Sequence, residues 1–385
     1  MLRLLIFLGV VLLLFLPFNW LTVRQLLRIH PRRRRWIIGA AVAGNLMWPF
    51  LTLLRSSTDF SRATRAILGP VWFGWTSFAL LYSLFLFLVL IAWAIFARPR
   101  IFAEFAHWPS RVFLAAIVVG FLAGCWQALV PLRVERVTIR VANLQQPVKL
   151  ALMGDLHVGL FTRPSRLEKL FATAGAERPD ALLIAGDLID DDPYFVPKLL
   201  SGTRALAPEI PLFAVLGNHE MYGNPAAVIS GLQGSRIRLL VNEGASVRGL
   251  WIAGVSDPAA RDVPDAKRYT PDLRKALAGR PPSSVPLALS HQPKILEEAR
   301  KLGVPVALCA HTHGGQLGFR PLRWSLAGLF LPYHLGLYDI PPTQMYINTG
   351  TGYWLFPFRL GMTPEITIIE VVPREDAGSR VQPRR

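Results

Sequence analysis

The sequence predicts a layered α/β domain carried behind four membrane-spanning helices. Three observations lead there: long uncharged runs confined to the first third of the chain, a switch after Arg133 to short apolar runs of strand length, and clusters of acids and histidines directly at the ends of those runs. With 385 residues, 52% apolar and only 17% charged, the chain is too hydrophobic for an ordinary soluble enzyme of this size. The same figures exclude a disordered, collagen-like or coiled-coil chain. Two cysteines, Cys125 and Cys309, are too few to staple a secreted scaffold.

The uncharged runs lie between Arg3 and Arg24 (20 residues), Arg35 and Arg55 (19), Arg65 and Arg98 (32) and Arg111 and Arg133 (21). Each is long enough for the roughly 20 helical residues that span a hydrocarbon core. Lipid offers no partner to a bare amide, so helices are the form such runs take. The first run lacks the small-x-small cleavage site of a signal peptide. Trp20, Trp36, Trp72, Trp93 and Trp108 fall near run ends, as membrane-belt residues would. Residues 1–132 are thus expected to form a four-helix transmembrane domain in the bacterial cytoplasmic (inner) membrane.

The net charge of +17 is lopsided: residues 1–130 carry +11 and the rest only +6. Because the positive charge sits at membrane flanks, membrane lipids rather than nucleic acid are the expected partners. Counting bases beside the four runs gives nine on one side (Arg24, Arg28, Arg32 to Arg35, Arg98, Arg100, Arg111) against seven on the other. The positive-inside rule then favours an extracytoplasmic C-terminal domain.

That domain is expected over residues 133–372. Val137, Ile139 and Val141 alternate as in a half-buried strand, and Val148 to Met153 forms an apolar strand ending at Gly154. Further strands are expected at Ala181 to Ala185, Leu212 to Leu216, Leu250 to Ala253, Val285 to Leu289, Val306 to Cys309, Met345 to Ile347 and Ile366 to Val372. Helical spacing lies between them, as at Leu167, Leu170, Phe171 and Ala174 and over Pro293 to Leu302. This alternation argues an α/β layered domain. The uncharged stretch from Ile340 to Phe358 reads as strand and turn because of Pro341, Pro342, Gln344, Asn348 and its glycines. Residues 373–385 are polar, charged and expected to be disordered.

Five of the eight histidines directly follow apolar runs in company with acids and amides: Asp155-Leu156-His157, Gly186-Asp187-Leu188-Ile189-Asp190, Gly217-Asn218-His219-Glu220, Ser290-His291 and His311-Thr312-His313-Gly314-Gly315. Ligand sites of open α/β sheets lie beyond the carboxyl ends of the strands, so these clusters are expected to converge in one cleft. In extended backbone, residues i and i+2 point to the same side, which pairs Asp155 with His157 and His311 with His313. Imidazoles with carboxylates and one amide suit Mn, Fe or Zn better than Mg or Ca. The donors are too many for one tetrahedral zinc and about right for two divalent metal ions sharing a carboxylate. Such a pair clamps the attacking and leaving oxygens of phosphoryl transfer, with a bridging hydroxide as nucleophile. Cys309 reads as a packed thiol, His30, His107 and His334 as structural, and Glu220 as a loop or capping acid.

The ordered set Asp-x-His, Gly-Asp-x-x-Asp, Gly-Asn-His-Glu, Ser-His-Gln-Pro and His-Thr-His-Gly-Gly-Gln resembles the calcineurin-like metallophosphoesterases, in particular their bacterial membrane-associated branch. The resemblance covers about residues 134–372. It implies a four-layer αββα sandwich with a dinuclear site. Asp155, His157, Asp187 and His313 would hold one metal, with Asp187 bridging to a second held by Asn218, His291 and His311. His219 would protonate the leaving alkoxide, oriented by Asp190. Ala310 departs from the glycine that usually opens the Gly-His-Thr-His motif, and it is small enough to leave metal binding intact.

The surroundings of the site bear on substrate. Leu317, Phe319, Trp324, Leu326, Leu329, Phe330, Leu331 and Tyr333, with Trp354 to Phe358, either cover the sheet as core or form an apolar lip beside the metals. Arg320, Arg323 and Arg359 are candidates to meet head groups or a substrate phosphate. The expected activity is hydrolysis of a phosphate ester or pyrophosphate bond in a lipid-linked substrate. The alternatives are a membrane-anchored phosphodiesterase or phosphatase for a soluble substrate, and a non-catalytic membrane sensor or scaffold.

Overall fold

A computed structural model describes residues 20, 22–24, 26–28, 30–53, 64, 68, 107–263, 265–354 and 356–374. The chain divides into two compact units, Met1–Ala123 and Gly124–Arg385. In the first, a 3-10 turn at Pro31–Arg33 leads into the helix Arg34–Leu53. Pro31 suits that start, because its fixed φ is helical and it has no N–H to leave unpaired.

The expected bundle of four transmembrane helices requires correction. The first and third runs fall almost wholly outside the described residues. The second and fourth form the helices Arg34–Leu53 and His107–Leu129. Among the described residues, no helix is long and apolar enough to cross a membrane. Freedom from charge was an incomplete criterion, because polar groups and prior engagements interrupt the uncharged runs. Asn45 turns its side chain back onto the Ala41 carbonyl at 2.7 Å, and Pro49 follows four residues later. The last turns of His107–Leu129, from Gly124 on, belong to the second unit: the Gln127 amide accepts from Gly361 N at 2.7 Å and donates to Thr363 Oγ1 at 2.8 Å. The Gly124 carbonyl accepts from Arg359 N at 3.0 Å.

The second unit is built on fourteen strands. In chain order they are β1 (Arg133–Val141), β2 (Val148–Met153), β3 (Ala181–Ala185), β4 (Leu212–Val215), β5 (Ile237–Leu239), β6 (Glu243–Val247), β7 (Leu250–Gly254), β8 (Val285–Leu289), β9 (Val306–Cys309), β10 (Gly318–Phe319), β11 (Trp324–Ser325), β12 (Gly336–Ile340), β13 (Thr343–Ile347) and β14 (Glu365–Pro373). One six-stranded sheet runs β1-β14-β2-β3-β4-β5 and the other β12-β13-β9-β8-β7-β6, while β10 and β11 form a separate ribbon. Within the first, β2 to β5 are parallel; within the second, β7, β8, β9 and β13 are parallel. Parallel strands are covered on both faces, which is why they read as unbroken apolar runs in the sequence.

Alternate residues of those runs divide among three layers of core. Leu150, Leu152, Leu183 and Val215 meet Ile252, Leu287, Leu289 and Leu308 between the sheets. Ala151, Met153, Leu182 and Ile184 turn the other way, onto the helices Pro164–Ala176 and Val196–Thr203. Ala253, Ala288, Ala307 and Met345 pack on the far side against Leu273–Leu277 and Ile295–Lys301. The result is the expected four-layer αββα sandwich. The parallel strands β2, β3, β4, β8 and β9 direct their carboxyl ends to one edge, where the acid and histidine clusters begin.

The stretch 340–358 contains β13 and the turns after it. Beyond the expected strand end, Pro373 still pairs with Val141, and Arg374 N donates to the Val141 carbonyl at 2.7 Å. Residues 375–385 lie outside the described residues.

Candidate metal centre

Each strand of the pair β2 and β3 ends in a loop that hydrogen-bonds the next. Asp155 N donates to the Gly186 carbonyl at 3.1 Å and His157 N to the Asp187 carbonyl at 3.0 Å. Across the sandwich, His311 N donates to Asp155 Oδ1 at 2.9 Å; within the first sheet's edge, His219 N donates to Asp187 Oδ1 at 3.0 Å. One oxygen of each carboxylate is thereby used to fix its position.

The remaining oxygens face imidazoles. His157 Nε2 lies 3.4 Å from Asp187 Oδ2 and 3.0 Å from His313 Nε2, whose Nε2 is 3.8 Å from Asp155 Oδ2. The coordinating atoms of Asp155, His157, Asp187 and His313 all fall within 4.8 Å of one another. A second group meets on the same Asp187 oxygen. His291 Nε2 is 3.2 Å from Asp187 Oδ2, 2.9 Å from Asn218 Oδ1 and 3.0 Å from His311 Nδ1. The other nitrogen of His291 bonds the Ala185 carbonyl at 2.8 Å, which aims Nε2 inward. All seven residues expected as ligands are therefore brought together.

The donor set fits divalent metal. Ligands about 2.1 Å from a common ion in a right-angled arrangement lie about 3.0 Å apart; the second group has that spacing, at 2.9–3.2 Å, and the first is looser, at 3.0–3.8 Å. Asp155 Oδ2 is fully buried and accepts no hydrogen bond, an expensive omission unless a cation takes that lone pair. The electrostatics of the metal-free groups pull in both directions. Burial works to raise the Asp187 carboxyl, but His291, His157 and His219 outweigh it and hold it well below the usual range. For Asp155 burial wins and the carboxyl rises. Burial and the neighbouring His291 push His311 down to about 3, while burial, His157 and Arg359 lower His313. His291 goes the other way, up to about 10, because Asp187 and Asp155 outweigh its burial.

The pairing of i and i+2 residues arises differently from the extended backbone expected. Asp155, His157, Asp187, His311 and His313 all have φ between 41° and 75°, in the left-handed region. Such backbones cost about 1–3 kcal/mol each for non-glycine residues, so they persist only where packing over-determines them. The three-layer core supplies that: one fully buried Leu or Ile contributes roughly 1.5–3 kcal/mol.

His219 stands beside this cluster, with its ring 4.5 Å from that of His157. Its Nδ1 is 2.7 Å from Asp191 Oδ1 and 3.9 Å from Asp190 Oδ1, and Asp190 lies nearer to His157 Nδ1 at 3.3 Å. Burial would lower His219, but Asp191 and Asp187 raise it to about 9. Asp191 was not singled out from the sequence; the run Asp190-Asp191-Asp192 was the available signal.

Glu220 is the capping acid expected, at the start of the helix Asn218–Tyr222, and also links two loops. It is fully buried, accepting from Ile189 N at 3.1 Å and Gly217 N at 2.7 Å, and so ties the β3 loop to the β4 loop. Burial, with Asp187 nearby, raises it to about 7. Ala310 has its Cβ where a side chain on Gly154 would fall, 2.4 Å from an added Cβ, so the pair Gly154 and Ala310 keeps one methyl's worth of space between them. Cys309 is a buried packed thiol, raised by burial. His334 bonds backbone, with Nε2 3.1 Å from the Arg323 carbonyl.

The three arginines expected to meet phosphate are otherwise engaged. Arg320 pairs with Glu365 at 2.5 Å and with Glu135 at 3.7 Å. Arg323 donates to the Leu335 carbonyl at 3.0 Å, and Arg359 is fully buried. Much of the apolar insertion is not core. Phe319, Leu322, Trp324, Leu326, Leu329 and Phe330 are exposed, Phe330 by 79%. Trp354 is also exposed, and its ring lies 6.4 Å from that of His219.

Comparison with known proteins follows the same lines. The family described as calcineurin-like phosphoesterase matches residues 148–315. An uncharacterized metallophosphoesterase of Helicobacter pylori is 30% identical over 267 residues, covering 69% of this chain and 70% of its own. A transmembrane protein with metallophosphoesterase domain from Danio rerio is 32% identical over 281 residues, 66% of this chain and 61% of that one. Phosphodiesterase YaeI of Escherichia coli is 30% identical over 240 residues, 59% of this chain and 83% of the relative.

Gly217 offers a clean test of how tightly the centre is built. Its φ of −101° suits any residue, but an added Cβ would lie 2.1 Å from Asp187 Oδ1 and 2.5 Å from Asp187 N. Gly217→Ala is therefore expected to displace Asp187 and weaken divalent metal binding at least about tenfold, measured by calorimetric titration. Wild-type affinity in that variant would show that Asp187 is not held as described.

Proposed function

Since the chain belongs to the calcineurin-like metallophosphoesterases and is a metal-dependent phosphoesterase, we propose that it hydrolyses phosphate ester or pyrophosphate bonds at a dinuclear centre. One ion belongs among Asp155, His157, Asp187 and His313, and the other among Asp187, Asn218, His291 and His311. The observation that carries this reading is the sharing of Asp187 Oδ2 by two converging donor groups. Mixed imidazole and carboxylate donors favour Mn, Fe or Zn. When bound, such ions supply Lewis acidity toward phosphoryl oxygens and lower the pKa of water.

The protein's own groups account for the rest. Asp187 accepts from His219 N on Oδ1 and turns Oδ2 to His157 and His291, so the two donor groups keep a fixed separation. His219 turns Nδ1 to Asp191, with Asp190 behind, which leaves Nε2 to protonate a leaving oxygen. Asp191 is thus the nearer orienting acid, and Asp190 serves His157 as well.

The substrate proposed is lipid-linked, with the catalytic unit working against a membrane surface. Support comes from the exposed apolar side chains between Phe319 and Phe330, from Trp354 beside His219, and from relatives named as transmembrane proteins. A soluble diester is the second reading, favoured by the relative named a phosphodiesterase.

Catalysis is tested with full-length protein, Mn and an aryl phosphodiester. His219→Ala is expected to lower kcat by about 10²–10⁴ while metal content stays unchanged, and chelation to abolish turnover. An unchanged kcat in His219→Ala would refute the assignment. Substrate class is tested by comparing kcat/KM for lipid pyrophosphates in mixed micelles with that for water-soluble diesters. Preference for the lipid is expected, and preference for the soluble ester would remove the membrane-facing role.

A further inference from the structure

Arg359 is the largest fully buried side chain among the described residues, and no carboxylate bonds it. Its Nε donates to the Gly352 carbonyl at 2.7 Å, and its Nη1 to the carbonyls of Thr349 at 2.7 Å, Met362 at 3.2 Å and His313 at 3.4 Å. Nη2 reaches His313 Nδ1 at 3.1 Å. A guanidinium only donates, so this contact belongs to the metal-free ring with its proton on Nε2; with a metal on Nε2 the proton would sit on Nδ1, and Arg359 would keep its hold on His313 through the carbonyl.

Burying a cation costs several kcal/mol even after relaxation, and a guanidinium kept only for packing would be expected to take a carboxylate partner, as Arg320 takes Glu365. What Arg359 has instead is a position between the two sheets. On one side is the loop 349–352, fastened to the β2 end by Thr351 N to the Gly154 carbonyl at 2.8 Å and Gly352 N to the Asp155 carbonyl at 3.0 Å. On the other side is His313, which follows β9. Gly350 is what lets the groups come together: at φ +90°, its added Cβ would fall 2.4 Å from Arg359 Nη2 and 3.1 Å from Asp155 Oδ2.

We propose that Arg359 is a positioning residue for one of the two metals: its fork bridges the loop 349–352, which holds the Asp155 backbone, to the carbonyl of His313, and so sets the distance between ligands supplied by different sheets. The inference rests on the dinuclear reading above. It makes a selective claim, because the group of Asn218, His291 and His311 makes no hydrogen bond to Arg359. Lys, with one ammonium in place of a planar fork, cannot replace these contacts together.

The test is calorimetric titration of Mn into metal-depleted full-length wild type, R359K and R359A, with melting temperatures of the metal-free proteins. Co(II) absorption spectra of the same three proteins provide a readout of ligand geometry. Wild type is expected to take up two ions. R359K is expected to lose about 10–100-fold in affinity at one site only, with a changed spectrum for that cobalt and the other site untouched. R359A, if it folds, should show the same selective loss, partly restored by added guanidinium at low concentration. Two wild-type affinities in R359K would overturn the inference while leaving the dinuclear reading intact. So would equal losses at both sites that follow the fall in melting temperature, since these mark a merely structural arginine. Failure of the wild type to take up a second ion overturns the dinuclear reading, and the site-selective claim with it.

Discussion

A single carboxylate oxygen, Asp187 Oδ2, is shared by two groups of imidazole, amide and carboxylate donors at the edge where both sheets end. Collecting Asp155, Asp187 and Glu220 in a fully buried or nearly buried setting is costly, since each ionised carboxylate loses its water. The local structure follows from meeting that cost. Backbone N–H groups from opposite loops fix one oxygen of each of Asp155 and Asp187, and Glu220 takes two more. The oxygens left over are the ones that face the histidines.

The sandwich explains why these residues can be held in strained conformations. Five site residues sit with left-handed backbones, and glycines at 186 and 217 allow loops to pass within side-chain distance of each other. Neither feature would survive on a free loop. Here the loops are short continuations of parallel strands whose side chains fill the cores on both faces, so strain of a few kcal/mol at the edge is small against burial of the sheets. The exposed apolar insertion is attached to the same edge, through Gly315 against Leu326 and Ala327.

Much of this was legible in the amino-acid order. Ala181–Ala185, Val285–Leu289 and Val306–Cys309 were readable as strands to the residue because parallel strands are apolar on both faces. The seven donors were readable because acids and histidines are rare immediately after such runs. Short polar strands such as β5 and β6 escaped, having no apolar period to betray them. Arg359 was assigned to phosphate because sequence shows a charge and not what surrounds it; only the fold reveals four carbonyls and an imidazole about its guanidinium. Asp191 was missed for the related reason that three consecutive aspartates leave undecided which one a neighbouring loop will meet. The membrane helices were overread, since counting uncharged residues ignored side chains such as Gln127 that are committed to the catalytic unit.

The central claim is that Asp187 joins two metal sites into one. Electron paramagnetic resonance of the full-length protein loaded with Mn tests it most directly. Two ions per chain are expected, with the multiline spectrum of an exchange-coupled pair that collapses to an uncoupled signal in Asp187→Asn. A spectrum of isolated Mn in the wild type at two ions per chain, or saturation at one ion, would contradict it.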